Sequence, residues 1–282
     1  MLELMYITNN IEVAKIVDEA GLERVWVDLE TIGKEERQKN YDSVKSHHSI
    51  SDIAEIKPVL KNAKMQVRIN PINPDSKQEI DAVIENGADM IMLPYYKSVE
   101  EVELFEKFVA GRAKTILLLE TKEAHECLDQ TLLIPGIDEM HIGLNDLHLS
   151  YGKTFMFELL TDGTVEAICK KIKAAGKPYG FGGIAKLGSG MLPAEKVIIE
   201  HYRLGSTRAI LSRSFCRPDE YNTLDEVRNA FMAEMKKLRE YEKKIANSNQ
   251  EVFERNHIKV AESVKKITEI IKDGQEKKEN DI

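Results

Sequence analysis

Two carboxylates, Glu120 and Asp146, are the residues whose type and spacing most favour chemistry in this sequence. Each follows a short apolar run, and one strand–helix unit of chain separates them, so neighbouring parallel strands would bring them to one edge of a sheet. Two such carboxylates, completed by waters and substrate oxygens, suit octahedral Mg²⁺ or Mn²⁺. The alternative is that each carboxylate caps the following helix or joins a salt bridge, and spacing alone leaves both interpretations open.

Further candidates for catalysis stand near the ends of other predicted strands. Arg68 lies inside an apolar strand, where an unpaired charge is costly, and its planar guanidinium suits recognition of a carboxylate or an enolate. A structural ion pair with a barrel carboxylate is the equally weighted alternative. Asp28 and Glu30 end the second predicted strand. His48, beside His47 in the following polar loop, could serve as a general base, or the two histidines could simply be solvated.

Glycine-rich turns supply the candidates for substrate binding. Gly143 and Asn145 follow the sixth predicted strand, and Gly182 lies in the Gly-Phe-Gly-Gly run in which the seventh predicted strand ends. Backbone N–H groups in such turns can bind an anion, although glycine turns are common. Trp26 is interpreted as barrel packing rather than as a ligand platform. Lys34 and Lys186 lie away from the strand-end positions expected of a lysine that forms a Schiff base.

Short β-rich runs alternate with amphipathic helical runs along the chain, which predicts parallel strands joined by right-handed crossovers. Eight strand–helix units favour a closed (β/α)8 barrel. An open doubly wound sheet is the alternative, but the G-x-G-x-x-G pattern that would support it is missing after the first strand. The predicted strands cover residues 4–8, 25–29, 65–69, 90–93, 115–119, 139–142, 178–181 and 208–211.

We assign residues 1–222 to the barrel and 223–275 to a C-terminal helical extension, and we expect a disordered tail at 276–282. The extension carries two apolar stripes at helical spacing and exceeds what an eighth barrel helix needs. It could pack on its own barrel or be exchanged between subunits.

Composition limits the function classes. The formal net charge of −8 and the lack of a strongly basic stretch argue against a nucleic-acid partner. An odd number of widely spaced cysteines favours a reducing compartment. The sequence shows neither a signal peptide nor a long apolar run, so we expect a cytoplasmic protein without a membrane partner.

Taken in order, these residues resemble the HpcH/HpaI aldolase and citrate lyase family. The stretches that carry the resemblance span roughly residues 20 to 215 and are Val27-Asp28-Leu29-Glu30, Val67-Arg68-Ile69-Asn70, Gly87-Ala88-Asp89-Met90-Ile91-Met92-Leu93-Pro94, Leu119-Glu120-Thr121 and Ile142-Gly143-Leu144-Asn145-Asp146-Leu147.

The resemblance implies a barrel of the phosphoenolpyruvate/pyruvate type, with Mg²⁺ or Mn²⁺ on Glu120 and Asp146. It implies that Arg68 contacts a 2-keto acid or its enolate, in a metal-dependent aldolase that cleaves a hydroxy-keto acid to pyruvate, or a related keto acid, and an aldehyde. Many relatives are oligomers with an exchanged C-terminal helix, so a homo-oligomer, a trimer or hexamer, is expected.

One position departs from the aldolase pattern. Thr31 follows Glu30 where the aldolase branch has a histidine implicated in proton transfer. The run from Asp28 to Arg37 resembles the citrate lyase branch more closely, so an acyl-CoA lyase or thioesterase is an alternative. A non-catalytic keto-acid sensor or scaffold is another. His47 or His48 could replace the missing base.

Overall fold

A closed barrel of eight parallel strands forms the body of the protein, which confirms the predicted (β/α)8 class. The computed structural model describes residues 1–34 and 48–280, with side chains described to residue 274. Each strand pairs in parallel with the next, and β8 closes on β1. The strands are β1 (Glu3–Ile7), β2 (Arg24–Asp28), β3 (Lys64–Arg68), β4 (Met90–Leu93), β5 (Lys114–Leu119), β6 (Glu139–Ile142), β7 (Tyr179–Ile184) and β8 (Arg208–Leu211).

Helices follow the strands and cover the outside of the barrel. They are α1 (Ile11–Glu19), α2 (Ile50–Ile56), α3 (Ser76–Glu85), α4 (Val99–Val109), α5 (Lys122–Glu126), α6 (Leu128–Thr131), α7 (Leu144–Ser150), α8 (Glu158–Thr161), α9 (Thr164–Ala174), α10 (Ala194–Leu204), α11 (Leu224–Ala246) and α12 (Gln250–Asn280), with short 3₁₀ turns at Lys57–Val59 and Pro218–Glu220. Within the described residues, we find no helix that is both long and apolar enough to cross a membrane.

Local sequence explains where these helices begin. The side chain of Asn10 accepts hydrogen bonds from two backbone N–H groups at the start of α1. Ser98 caps α4 by accepting a hydrogen bond from the backbone N–H of Glu101. Thr223 forms a complete capping box with Glu226 at the start of α11. Such caps satisfy N–H groups that have no partner inside the helix.

Two parts of the helical layer differ from the sequence-based prediction. The sequence also predicts a helix near residues 51–62, but α2 ends at Ile56, because the proline at position 58 favours a 3₁₀ turn after it. The chain between β6 and α9 holds the short helices α7 and α8, which the sequence analysis does not predict. Helices of four to seven residues present too little periodicity to be recognised.

The barrel interior is filled in layers. At the amino ends of the strands, Arg24, Glu139 and Arg208 form one ion-paired layer, with Glu139 accepting from both arginines. Side chains on one strand face the interior at every second position. Two residues farther along β2, β6 and β8, the next layer therefore holds Trp26, His141 and Ile210. This second layer forms the floor beneath the carboxyl ends of the strands.

The C-terminal helices pack on the barrel of their own chain. Helix α11 contacts α1 and α10, and α12 contacts α8 and α10. Val260 and Val264 of α12 are buried in the main hydrophobic core, whereas Ile258 and Ile270 are exposed. Backbone helix continues to Asn280, into the stretch for which a disordered tail is predicted, and residues 281 and 282 lie outside the described part.

Glu106 on α4 gives the fold a pH-dependent stability that can be measured. Burial raises the pKa of this carboxyl from 4.5 to about 7. Since the folded protein then binds a proton that the unfolded chain has released, stability falls as the pH rises from about 4.5 through about 7. We expect Glu106→Gln to increase the free energy of unfolding at pH 8 by on the order of 2 kcal/mol. Urea denaturation of both proteins at pH 5 and pH 8 measures this change in the free energy of unfolding.

At pH 5 the two proteins should differ little, because Glu106 is protonated and resembles glutamine. The control is Glu103→Gln on the same helix, at an exposed position, which should change stability equally at both pH values. A stabilisation by Glu106→Gln that is the same at pH 5 and pH 8 would contradict the raised pKa.

Candidate functional site

A cavity of about 230 Å³ opens at the carboxyl ends of the strands. It brings together Asp28, Arg68, Glu120, Gly143, Asn145, Asp146 and Gly182 from the predicted site, and it adds Ile7, Trp26, Lys34, Leu118, His141, Leu144, Met156, Gly183, Ile210 and Arg213. A larger cavity of about 590 Å³ lies at the opposite end, around the ion pairs of Glu139. Active sites of such barrels lie at the carboxyl ends, so the smaller cavity is the candidate.

An ion cluster forms one wall of this cavity. The Nε and Nη2 atoms of Arg68 each donate to a different oxygen of Asp28 at 2.8 Å, and Nη1 lies 3.2 Å from Glu30. The Nζ atom of Lys34 donates to Asp28 at 2.9 Å and lies 3.7 Å from Glu30. Asp28 and Glu30 are each only 2% exposed. The ion pair expected as the alternative for Arg68 is therefore present, on a residue that also lines the cavity.

The charges in this cluster stabilise one another. The Arg68 and Lys34 cations hold the pKa of Asp28 well below its usual range, although burial opposes this effect. The carboxylates of Asp28 and Glu30 in turn raise the pKa of Arg68, again against burial. Asp28 is therefore ionised at neutral pH and tied to two cations, which suits it to position Arg68 better than to accept a proton.

Glu120 is held at the end of β5 by the backbone of the neighbouring strand connection. Its Oε1 atom accepts a hydrogen bond from the N–H of Tyr95 at 3.0 Å. Tyr95 has a positive φ of 50°, a conformation that non-glycine residues seldom adopt. The cap of the following helix is Thr121, whose Oγ1 accepts from Ala124. Glu120 is thus not the helix cap that the alternative interpretation proposes.

Gly143 leaves room for the Glu120 carboxylate. A Cβ atom at position 143 would lie 2.7 Å from Oε2 and 2.8 Å from Cβ of Glu120, closer than such atoms approach in proteins. Asp146, in the first turn of α7, lines the same cavity. Position 143 therefore has to be glycine for Glu120 to occupy this place. From the sequence alone, Gly143 is recognised only as part of a glycine turn.

The donor set fits a divalent ion of the hard type. Glu120 and Asp146 contribute carboxylate oxygens, the ligands that Mg²⁺ and Mn²⁺ prefer. Among residues 1–34 and 48–274, no group of three or more histidine, cysteine or acidic residues could hold a metal. From the described residues a cation here would take two protein ligands, and it would complete its shell with water and ligand oxygens, as Mg²⁺ commonly does.

Of the remaining predicted residues, Gly182 lines the cavity, whereas Glu30 and His48 are not among the residues that line it. Gly182 has a φ of 53°, and a Cβ there would lie 2.8 Å from Leu144. Glu30 contacts the cavity wall through Arg68 and Lys34. His48 is half-buried beside the cavity, and its Nδ1 accepts a hydrogen bond from the N–H of Asp28 at 3.0 Å. His47 lies outside the described residues.

The hydrogen bond of His48 limits what this ring can do. Burial lowers its pKa, so the ring is neutral at pH 7. With Nδ1 accepting from Asp28, the proton of the neutral ring is on Nε2. His48 in this arrangement donates a hydrogen bond rather than accepting a proton. Thr31 is exposed, and its backbone N–H donates to Asn70 at 2.9 Å.

Four of the ten added cavity residues carry nitrogen atoms in their side chains, and none of the four was selected from the sequence as a site residue. Arg213 follows β8, and Lys34 reaches the cavity from the connection after β2 rather than from a strand end. Trp26 and His141 face inward from the middle of their strands. Side chains along β2 and β6 alternate between the inside and the outside of the barrel. Trp26 therefore shares the inward face of Asp28, and His141 shares that of Gly143, so this alternation could have identified both residues.

Comparison with known proteins agrees on the fold. No protein-family profile and no curated protein matches the sequence. An HpcH/HpaI aldolase from Desulfitobacterium hafniense matches the structure with a TM-score of 0.56 and 16% identity, over 75% of this chain and 86% of that one. A variant of the citrate synthase SbnG matches with a TM-score of 0.53 and 17% identity, over 74% and 84%. The resemblance to the HpcH/HpaI aldolase and citrate lyase family is thus supported at the level of the fold.

Proposed function

We propose that the protein is a divalent-metal-dependent carbon–carbon lyase that cleaves a hydroxy-keto acid to pyruvate, or a related 2-keto acid, and an aldehyde. The observation that carries the proposal is one shared cavity, at the carboxyl ends of the strands, that is lined by Arg68, Glu120 and Asp146. The similarity of the fold to an HpcH/HpaI aldolase supports the reaction class.

The balance of charges supports an anionic ligand together with a cation. Four carboxylates, those of Asp28, Glu30, Glu120 and Asp146, stand against the cations of Arg68, Lys34 and Arg213. Among the residues that the structure describes, these groups sum to a charge of −1, which repels a keto acid. A divalent cation reverses this sign and makes the cavity suitable for a monoanion.

Each group of cavity residues would have its own role in the reaction. Glu120 and Asp146 would hold Mg²⁺ or Mn²⁺, which when bound acts as a Lewis acid on a substrate carbonyl. Arg68, fixed by Asp28, would direct N–H donors at the ligand carboxylate or at charge that develops on the carbonyl oxygen. Gly143, Asn145 and Gly182 would border the ligand. Apolar Leu118, Met156 and Ile210 would limit its contact with water.

The test is a pyruvate-release assay with a panel of 4-hydroxy-2-keto acids in the presence of Mg²⁺, Mn²⁺ or Co²⁺. We expect turnover that a chelator abolishes. Glu120→Gln or Asp146→Asn should lower kcat/KM by about 10² to 10³, the usual loss when a group that stabilises transition-state charge is removed. Metal affinity, measured by calorimetry, should fall in the same variants.

The matched control is Glu126→Gln, an exposed glutamate on α5, which should leave both kcat/KM and metal affinity unchanged. The proposal fails if the wild-type protein releases no pyruvate from any substrate with any of the three metals, and Glu120→Gln retains the wild-type metal affinity.

The other functions considered from the sequence remain separable by experiment. The acyl-CoA alternative rests on the run from Asp28 to Arg37, of which residues 35–37 lie outside the described part. A thioester substrate requires a site for its pantetheine arm, so saturation-transfer NMR with coenzyme A should show contacts in that case. A keto-acid sensor would bind pyruvate and metal without turning over any member of the panel.

A further inference from the structure

Two ring nitrogens on the floor of the cavity are buried without a hydrogen-bond partner. They are Nε1 of Trp26 and Nδ1 of His141, and neither has a partner among the residues that the structure describes. Both side chains are only 1% exposed, and both line the cavity that holds Arg68 and Glu120. Buried polar atoms in folded proteins nearly always have partners, so a pair that lacks them at a cavity wall indicates a ligand contact.

The two nitrogens belong to one layer of the barrel interior. Trp26 and His141 each lie two residues beyond a member of the ion-paired layer formed by Arg24 and Glu139. Side chains from alternate strands share layers in such barrels, so β2 and β6 present these two rings at the same height. The guanidinium carbon of Arg68 lies 5.2 Å from the centre of the Trp26 ring, which places this layer directly below the ion cluster.

The hydrogen-bonding character of the pair is fixed by its surroundings. The indole Nε1 of tryptophan is a donor only. The Nε2 atom of His141 lies 3.3 Å from the carbonyl oxygen of Gly182, an acceptor, so Nε2 carries the proton. Burial lowers the pKa of His141 to about 4, and the ring is therefore neutral at pH 7 with an acceptor at Nδ1. The floor offers one donor and one acceptor.

The rest of the floor is apolar, with Ile7, Leu118 and Ile210 lining the same cavity. A ligand group that both accepts and donates one hydrogen bond matches this pattern, and among common organic groups a hydroxyl does so. A carboxylate can only accept, and an ammonium group can only donate. The floor therefore discriminates among the polar groups that a carbon chain can carry.

We propose that Trp26 and His141 form a hydroxyl-binding subsite, in which the indole N–H donates to, and the imidazole Nδ1 accepts from, a hydroxyl on the carbon chain of a 2-keto acid. The inference rests on the proposed function, since the keto acid occupies the cavity above. Beyond the C4 hydroxyl that a retro-aldol substrate already carries, it assigns the substrate a second hydroxyl on its chain, and it gives Trp26 a ligand role in place of packing alone.

The test compares the binding of keto acids that differ only by a hydroxyl, in the presence of Mg²⁺. The probe pairs are hydroxypyruvate with pyruvate, and 5-hydroxy-2-oxopentanoate with 2-oxopentanoate. Their hydroxyls lie on C3 and C5, on either side of C4, and neither probe undergoes retro-aldol cleavage. Calorimetry gives each Kd, and fluorescence reports directly on the floor because Trp26 is the single tryptophan of the chain.

We expect at least one hydroxylated probe to bind about tenfold or more tightly than its partner, because a site built for a hydroxyl rejects the analogue that leaves buried groups unpaired. Trp26→Phe removes the indole N–H and leaves a smaller aromatic ring, and His141→Phe replaces the imidazole by an apolar ring and removes both nitrogens. Each should bring the ratio of the two Kd values to within about twofold while preserving affinity for the unhydroxylated acid. His125→Phe, on α5 and outside the cavity lining, is the control and should retain the wild-type ratio.

The outcomes separate this inference from the proposed function. If pyruvate and 2-oxopentanoate fail to bind the wild-type protein with Mg²⁺, Mn²⁺ or Co²⁺, the proposed function falls and the subsite with it. If they bind but neither hydroxylated probe binds more tightly, only the subsite is overturned. A ratio that stays at the wild-type value in folded Trp26→Phe or His141→Phe overturns it as well, and circular dichroism verifies the folding of each variant.

Discussion

Replacing Arg68 with alanine is expected to lower the free energy of unfolding at pH 7 by about 3 to 5 kcal/mol, the usual cost of breaking a buried ion pair from one side. Arg68 is the bidentate partner of Asp28 and also approaches Glu30, and both carboxylates are almost completely buried. Without the guanidinium, Asp28 would lose its bidentate partner and Glu30 would lose its contact with Nη1, while both carboxylates stay buried. Urea denaturation followed by circular dichroism measures the change.

The pH dependence of this loss identifies its cause. Asp28 in the wild type has a lowered pKa, so its contribution to stability is present above its unfolded pKa near 3.8 and is lost as the pH falls below that value. In Arg68→Ala, burial without the arginine favours the protonated acid. The difference in the free energy of unfolding between the wild type and Arg68→Ala should therefore decrease as the pH is lowered.

Arg255→Ala provides the control, since Arg255 pairs with Glu251 at an exposed position on α12 and should cost no more than about 1 kcal/mol. Two results would contradict the stabilising role of this buried ion cluster. One is a decrease in the free energy of unfolding of Arg68→Ala as small as that of the control, and the other is a difference from the wild type that grows as the pH is lowered.

Gly180→Ala is expected to destabilise the barrel by about 3 kcal/mol, at the upper end of the usual cost of overpacking. A Cβ atom at this position would collide with the backbone carbonyl oxygen of Arg208, and it would lie 2.7 Å from the Cβ of that residue. Because β7 and β8 are hydrogen-bonded neighbours, this backbone cannot withdraw without breaking the sheet. The midpoint of urea unfolding measures the loss.

The matched control is Gly274→Ala on α12, where a Cβ meets nothing within 4 Å. Alanine is the better helix former, so this variant should be neutral or slightly more stable. A Gly180→Ala protein as stable as the wild type would show that the two strands are not packed as closely as described.

The barrel could be predicted from the sequence because its signal repeats. Strands β4, β6 and β8 have the predicted bounds, and the others shift by one to three residues, within the reach of apolar patterning. The seventh strand is longer than predicted because Gly182 and Gly183, which the sequence pattern places in a turn, continue the strand to Ile184. Glycine is a weak strand former, so local patterning underestimates such a strand.

The candidate site could be predicted only where it follows strand ends. Arg68, Glu120 and Asp146 were identified because position along a barrel strand implies proximity to the mouth. The hydrogen-bond network around these residues could not be predicted. The pairing of Lys34 with Asp28, and the hydrogen bond from the N–H of Tyr95 to Glu120, depend on loop geometry. His48 illustrates the limit, because its candidacy as a base depends on which nitrogen carries the proton, and the contact with Asp28 determines that.

A crystal structure of the protein soaked with Mn²⁺ and oxalate, a mimic of the pyruvate enolate, would show whether Glu120 and Asp146 share one ion. We expect a single anomalous peak within coordination distance, about 2.0 to 2.6 Å, of carboxylate oxygens from both Glu120 and Asp146. We also expect oxalate bound to that ion on the side of Arg68. Mn²⁺ bound elsewhere, or absent from this cavity at saturating concentration, would contradict the proposed metal site.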